Sequence, residues 1–171
     1  MATVIQWSHY PKSSSPTKLM LSVTQAFESV QASIDSTKHK LDSNGVLELV
    51  GPHLATAGFR IESGKKKADK ITVPVLFGRN GRVEKSFEAD AFHPEEAFVV
   101  EVEAGRGVTN NQFLKDLFQA CMMQDVRYVG IAVRRDYLGN RDFDTVCTFF
   151  DTLYASGRLP LPLAGVLVIG Y

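Results

Sequence analysis

EADAFHPEEAFVVEVEAGR, Glu88 to Arg106, decides how the middle of this chain folds. Two runs rich in strand-forming residues flank a Pro-containing turn, the pattern of two antiparallel strands joined by a short loop. With HPEE as a four-residue loop between Phe92 and Ala97, Asp90 is set opposite Val99 and Glu88 opposite Glu101, with Asp90 diagonal to Glu101. Side chains alternate along a strand, so Glu88, Asp90, Glu101 and Glu103 share one face.

Around this hairpin the pattern changes twice. Upstream, Leu19, Met20, Val23, Phe27, Val30 and Ile34 recur at helical steps and predict a helix from Lys18 to about Lys40. A second helix is expected to start at the Asp42-Ser43-Asn44 cap and to stop at Gly58. FRIES (59 to 63), ITVPVLFG (71 to 78), VEKSFEADAF (83 to 92) and AFVVEVEAG (97 to 105) read as four strands joined by short hairpin turns at GKKKADK, RNGR and HPEE. Downstream follow a helix in NNQFLKDLFQACMM, a strand at 127 to 135, a helix at 143 to 156 ended by Gly157, and a last strand at 164 to 171. The expected class is α+β in α/β/α layers, with a mixed sheet flanked by helices. Residues 1–17, with Pro and Ser clustered at PKSSSPT, are expected to form an N-terminal arm, and residues 18–171 a single domain.

The whole chain carries 19 basic and 19 acidic residues, so no global field drives it onto nucleic acid, and an anionic partner must be met by a local patch. No apolar run approaches the ~18 residues of a membrane span, and no secretory leader precedes the first helix; a cytoplasmic protein without membrane contact is expected. Cys121 and Cys147 lie in apolar helical stretches without the paired spacing of a zinc site and are expected to be unpaired thiols.

Four carboxylates on one strand face beside Phe, Val and Ala repel one another and are costly to bury. A divalent cation relieves both costs. Ligand sets made only of oxygen favour hard ions, Mg²⁺ or Mn²⁺, which complete their shells with water and phosphate; the face therefore points to metal-assisted phosphodiester chemistry. The plain alternative is an exposed face whose acids pair with Arg82, Lys85 or Arg106.

An Asp followed on the next strand by E-x-E, and then by a helix, resembles the PD-(D/E)xK nuclease superfamily. EADAF…VVEVEAGRGVTNNQFLKDLFQA resembles in particular the catalytic core of restriction endonucleases of the BamHI and BglII type. The likeness spans residues 42–135 and implies a restriction endonuclease-like core, DNA as partner and Mg²⁺ or Mn²⁺ as cofactor. It places Asp90 and Glu101 as metal-binding acids and Glu103 where most members have lysine. The missing positive charge is then to be supplied by Lys115, favoured for catalysis, or by Arg106, favoured for a phosphate contact. Glu48, on the helix before the sheet, is a candidate for the extra metal-linked acid that members often carry there.

Other residues are candidates for nucleic-acid contact. Lys65, Lys66, Lys67 and Lys70 cluster in one turn, and either a phosphate contact or a solvated turn explains them. Thr109 and Asn110 are expected to cap the following helix, while Asn110, Asn111 and Gln112 carry amides able to read base edges. His93, beside Pro94, is expected to shape the turn. The leading expectation is a Mg²⁺-dependent DNA endonuclease, with a homodimer as the route to cutting both strands. A catalytically inactive member that binds nucleic acid or protein, and a scaffold with structural acids, are the alternatives.

Overall fold

A computed structural model of the chain describes residues 3–171. Its elements are β1 (Gln6–Tyr10), α1 (Lys18–Ser29), α2 (Gln31–Ile34), α3 (Ser43–Thr56), β2 (Arg60–Ile61), β3 (Ile71–Phe77), β4 (Val83–Ala89), β5 (Ala91–His93), β6 (Phe98–Val102), α4 (Gln112–Met122), β7 (Tyr128–Val133), α5 (Asp142–Ser156) and β8 (Gly165–Gly170). Six strands form one sheet in the order β1-β8-β7-β6-β5-β2, and β3 and β4 form a separate two-stranded sheet. β6, β7 and β8 run parallel, while β1, β5 and β2 join antiparallel. This is the expected mixed α+β class.

Helices cover both faces of the large sheet. Phe27 of α1 and Val50 and Leu54 of α3 pack with Val100, Leu167 and Ile169 on one side. Leu117 of α4 and Val146 and Phe150 of α5 pack with Val99, Ile131 and Val168 on the other. Every residue of β6 is buried, as expected of a central strand with a neighbour on each side and helices above and below. Among the described residues no helix is long and apolar enough to cross a membrane.

The local signals for α3 hold. Asp42 accepts the Gly45 N–H at 2.8 Å as N-cap, and Gly58 takes φ +99° just beyond the helix end. The first helix is shorter than expected, ending at Ser29, and α2 stops at Ile34. The stop of α2 falls at Asp35, buried to 2 % exposure, whose carboxylate accepts the Thr37 N–H at 3.1 Å and Arg135 Nη2 at 2.8 Å. This side-chain turn, fixed by a distant cation, competes with continued helix.

Residues 6 to 10, expected in an arm, instead form the edge strand paired with β8. Tyr10 is 1 % exposed and its hydroxyl donates to the Cys147 carbonyl at 2.9 Å, fastening the strand to α5. Met1 and Ala2 of the expected arm lie outside the described residues.

Two further expectations are corrected. GKKKADK is not a hairpin turn: β2 pairs with β5, and the β3–β4 hairpin is inserted between them. The run 83 to 92 is not one strand but two, broken at Asp90, where the chain passes from the small sheet into the large one. Thr72 of β3 therefore faces Glu88, which does not stand opposite Glu101.

The β5–β6 register is Ala91↔Val100, Phe92↔Val99 and His93↔Phe98, two residues away from the expected one. The loop is Pro94 to Ala97, because Ala97 adopts φ +53° while His93 stays in the strand. The His93 ring packs edge-on against Phe59 and accepts the Glu96 N–H at 3.2 Å, the turn-shaping role expected of it. A shift by two preserves faces. Asp90, Glu101 and Glu103 still point the same way, toward α4.

Candidate functional site

A cleft of about 490 Å³ opens between the end of β6, α4 and the start of the β3–β4 hairpin. Asp90, Glu101 and Glu103 line it, and so do Lys115 and Asp116 of α4, Glu62 after β2, Lys70 before β3 and Glu88 of β4. Topology explains the convergence. Glu101 and Glu103 alternate with the inward Val100 and Val102, the break at Asp90 turns its side chain back over β6, and α4 returns antiparallel across their face.

Asp90 is tied to β6 by the Val102 N–H, which donates to its Oδ2 at 2.8 Å. Burial, helped by the charges of Glu62 and Asp116, raises its pKa to about 6 against that hydrogen bond and the attraction of Lys70. Glu101 is 8 % exposed, and burial, reinforced by Asp90, Asp116 and Glu103, holds its pKa well above the usual carboxylate range. Burial and a hydrogen bond with Asp116 push Glu103 up to about 9.

Asp116 is 5 % exposed, with a raised pKa caused first by burial. Its Oδ1 accepts Gln112 Nε2 at 3.3 Å, while its Oδ2 meets no N–H or hydroxyl donor. The donor left to it is the Glu103 carboxyl, which supplies a hydrogen bond only when protonated. These acids are not an exposed face neutralised by Arg82, Lys85 or Arg106. Glu101 and Asp116 are buried and Asp90 and Glu103 half-buried, and burial favours the protonated form of each.

Two lysines offset the acids. Lys70 pairs with Glu62 and lies 3.5 Å from Glu88, and Lys115 pulls the pKa values of Glu103 and Asp116 down. Among the described residues, no three His, Cys, Asp or Glu side chains converge on one point as their rotamers stand. Asp90 already accepts the Val102 N–H, and Asp116 the Gln112 amide. The donor set nonetheless fits a hard cation, being all oxygen, crowded, and left with one buried acceptor unsatisfied by any N–H.

The remaining candidates lie elsewhere. Glu48 is exposed on α3 and lines a neighbouring groove. Lys65 borders the same groove, and Lys66 and Lys67 are exposed beside it. Arg106, Asn110 and Asn111 are exposed in the β6–α4 loop. Asn111, not Thr109 or Asn110, occupies the position before α4, with φ +52° and no side-chain cap. The Gln112 amide is engaged by Asp116.

Asp116 and Glu62 are cleft acids that sequence reasoning did not single out, while Lys70, expected only as part of a cluster of lysines, joins them at the cleft. Asp116 had a signal: it sits between Phe113, Leu117 and Ala120 on the stripe that turns inward. Glu62 had none, because its meeting with Lys70 depends on β2 pairing with β5. No family model matches the chain, and no curated protein matches its sequence.

Proposed function

We propose that the chain is a divalent-cation-dependent nuclease that hydrolyses DNA phosphodiester bonds, with the acidic cleft as its active site. The observation that carries this reading is the gathering of Asp90, Glu101, Glu103 and Asp116, all with raised pKa values, in one open cleft flanked by Lys70 and Lys115. A purely structural site gains little from crowding four acids, whereas a site that exchanges protons for a cation requires it. The order α3, β2, β5, β6, α4, β7, with β6 and β7 parallel, supports the likeness to the PD-(D/E)xK core.

Asp90 and Glu101 would hold the ion, with Glu103 or Asp116 completing the protein ligands. When bound, Mg²⁺ or Mn²⁺ supplies charge neutralisation at the phosphate and acidifies a water. The chain's own groups do the rest. Glu103, once ionised, takes the proton of the attacking water. Lys115 sets a positive charge beside the phosphate as negative charge develops, the part most superfamily members give to the lysine that Glu103 replaces. Glu62 holds Lys70 in the cleft mouth, and Lys70 steadies the ionised form of Asp90. Arg106, Asn110 and Asn111, exposed in the β6–α4 loop, would contact the backbone or base edges of bound DNA.

A crystal soaked in Mn²⁺ tests the assignment. An ion bonded to Asp90 and Glu101 at about 2.0–2.2 Å supports it, and an ion-free cleft at saturating Mn²⁺ removes it.

A further inference from the structure

Beside the acidic cleft lies a second concavity, larger at about 630 Å³, that catalytic chemistry leaves unexplained. It runs between α3 and the strand β2 with the loop after it. Leu47, Gly51, Pro52 and Ala55 face it from one stripe of α3, and Ile61 closes it from β2. Helix and strand approach closely here: a Cβ on Gly51 would stand 3.2 Å from Ile61 Cγ2. The walls are therefore apolar and preformed.

Its ends are polar. Asn44 and Glu48, one turn apart on the same stripe, edge the groove on α3, and Lys65 edges it from the loop, with Lys66 and Lys67 exposed alongside. Asn44 and Glu62 line both concavities, so the groove is continuous with the cleft.

A nucleobase matches this surface, having apolar faces and a hydrogen-bonding edge. We infer that the groove seats an unpaired base of the nucleotide next to the phosphate held in the cleft, and that the preferred DNA has at least one unpaired nucleotide beside the scissile bond. The inference rests on the nuclease reading of the cleft. A base paired within a duplex keeps its edge engaged and its faces stacked, and does not enter. Glu48 can accept but not donate, which favours the amino-bearing edges of adenine and cytosine over thymine. Lys65, Lys66 and Lys67 meet the next phosphate at the mouth, giving the turn of lysines a use that a solvated turn lacks.

Ala55 is exposed on α3, so Ala55→Phe fills the groove without opening the core. Fluorescence polarisation without divalent cation, using labelled oligodeoxyadenylate, oligodeoxycytidylate, oligothymidylate and a blunt duplex, reads the groove apart from catalysis. The wild type binds the adenine and cytosine strands about tenfold more tightly than thymine, a difference of ~1.4 kcal/mol. Ala55→Phe loses single-strand binding with duplex binding unchanged, and Glu48→Gln, which perturbs no packing, brings thymine to parity. Equal single-strand binding by wild type and Ala55→Phe overturns the inference, as does an unchanged base preference in Glu48→Gln. Cleavage with Mn²⁺ is scored separately. Cutting that ignores Ala55→Phe sinks the groove and leaves the nuclease reading standing, while groove-dependent binding without any cleavage keeps the groove as a nucleic-acid site and sinks the nuclease reading.

Discussion

Glu103, one residue past β6, and Asp116, in the second turn of α4, both line the cleft, and burial together with their pairing raises the Glu103 pKa to about 9, so that the pair retains a proton at neutral pH. Each is held there by the fold: the Glu103 N–H donates to the Ala132 carbonyl at 2.8 Å, extending the β6–β7 ladder, and Asp116 sits on the buried stripe of α4.

That proton makes stability depend on pH. Folded pKa values above the ordinary carboxylate range mean that the folded state binds more protons than the unfolded one, so this contribution is complete below about pH 4 and is lost as pH rises through about 9 for Glu103. The melting temperature measured in buffer without divalent cation should fall between about pH 6 and about pH 9. Asp116→Asn, whose amide donates to ionised Glu103, should flatten this fall by at least about 2–4 °C, the shift that ~1 kcal/mol gives a domain of this size. An identical slope in the variant would remove the shared proton.

Cation binding should expel protons. Calorimetric titration with Mn²⁺ at neutral pH, repeated in two buffers of different ionisation enthalpy, should report net proton release, because Asp90, Glu101 and Glu103 all titrate above their ordinary range. Glu103→Gln should release fewer protons. Binding without proton release would mean that the ion sits elsewhere.

Lys70 should act on Asp90. Its charge lowers the Asp90 pKa, so Lys70→Ala should drive that pKa above about 6, as followed by carboxyl carbon chemical shifts in a titration. An unmoved Asp90 would show that the lysine serves Glu62 and Glu88 alone.

The edge strand β1 should be part of the cooperative fold. Tyr10 is buried between β8 and α5, stacks 5.4 Å from Tyr154 and is tied to Cys147 and Asp151, so Tyr10→Ala should cost about 3–5 kcal/mol in urea unfolding. A loss below ~1 kcal/mol would fit the loose arm that the sequence suggests.

Local signals carried much of this architecture. The Asp42 cap, Gly58 and Gly157, the apolar runs of β6, β7 and β8 and the stripe of α4 are written in neighbouring residues, and the structure follows them. What escaped depends on distant partners. The helix α2 stops where Arg135 fixes Asp35, and residues 6 to 10 become a strand because β8 presents an open edge. The β5–β6 register moved because His93 finds Phe59 and Ala97 accepts a left-handed turn. The face of Asp90, Glu101 and Glu103 survived that error since an even slip leaves alternation intact. Glu62 and Lys70 meet in the cleft through tertiary packing that no spacing records.

The most direct measurement is DNA cleavage with Mg²⁺ or Mn²⁺ by the wild type and by Glu101→Gln, which keeps the shape of a buried cleft acid and removes its charge. The account predicts cleavage that needs the divalent cation and falls by at least about a hundredfold in Glu101→Gln, with the melting temperature retained. Cleavage that persists in the folded variant, or a wild type that cuts no DNA in either cation, would contradict it.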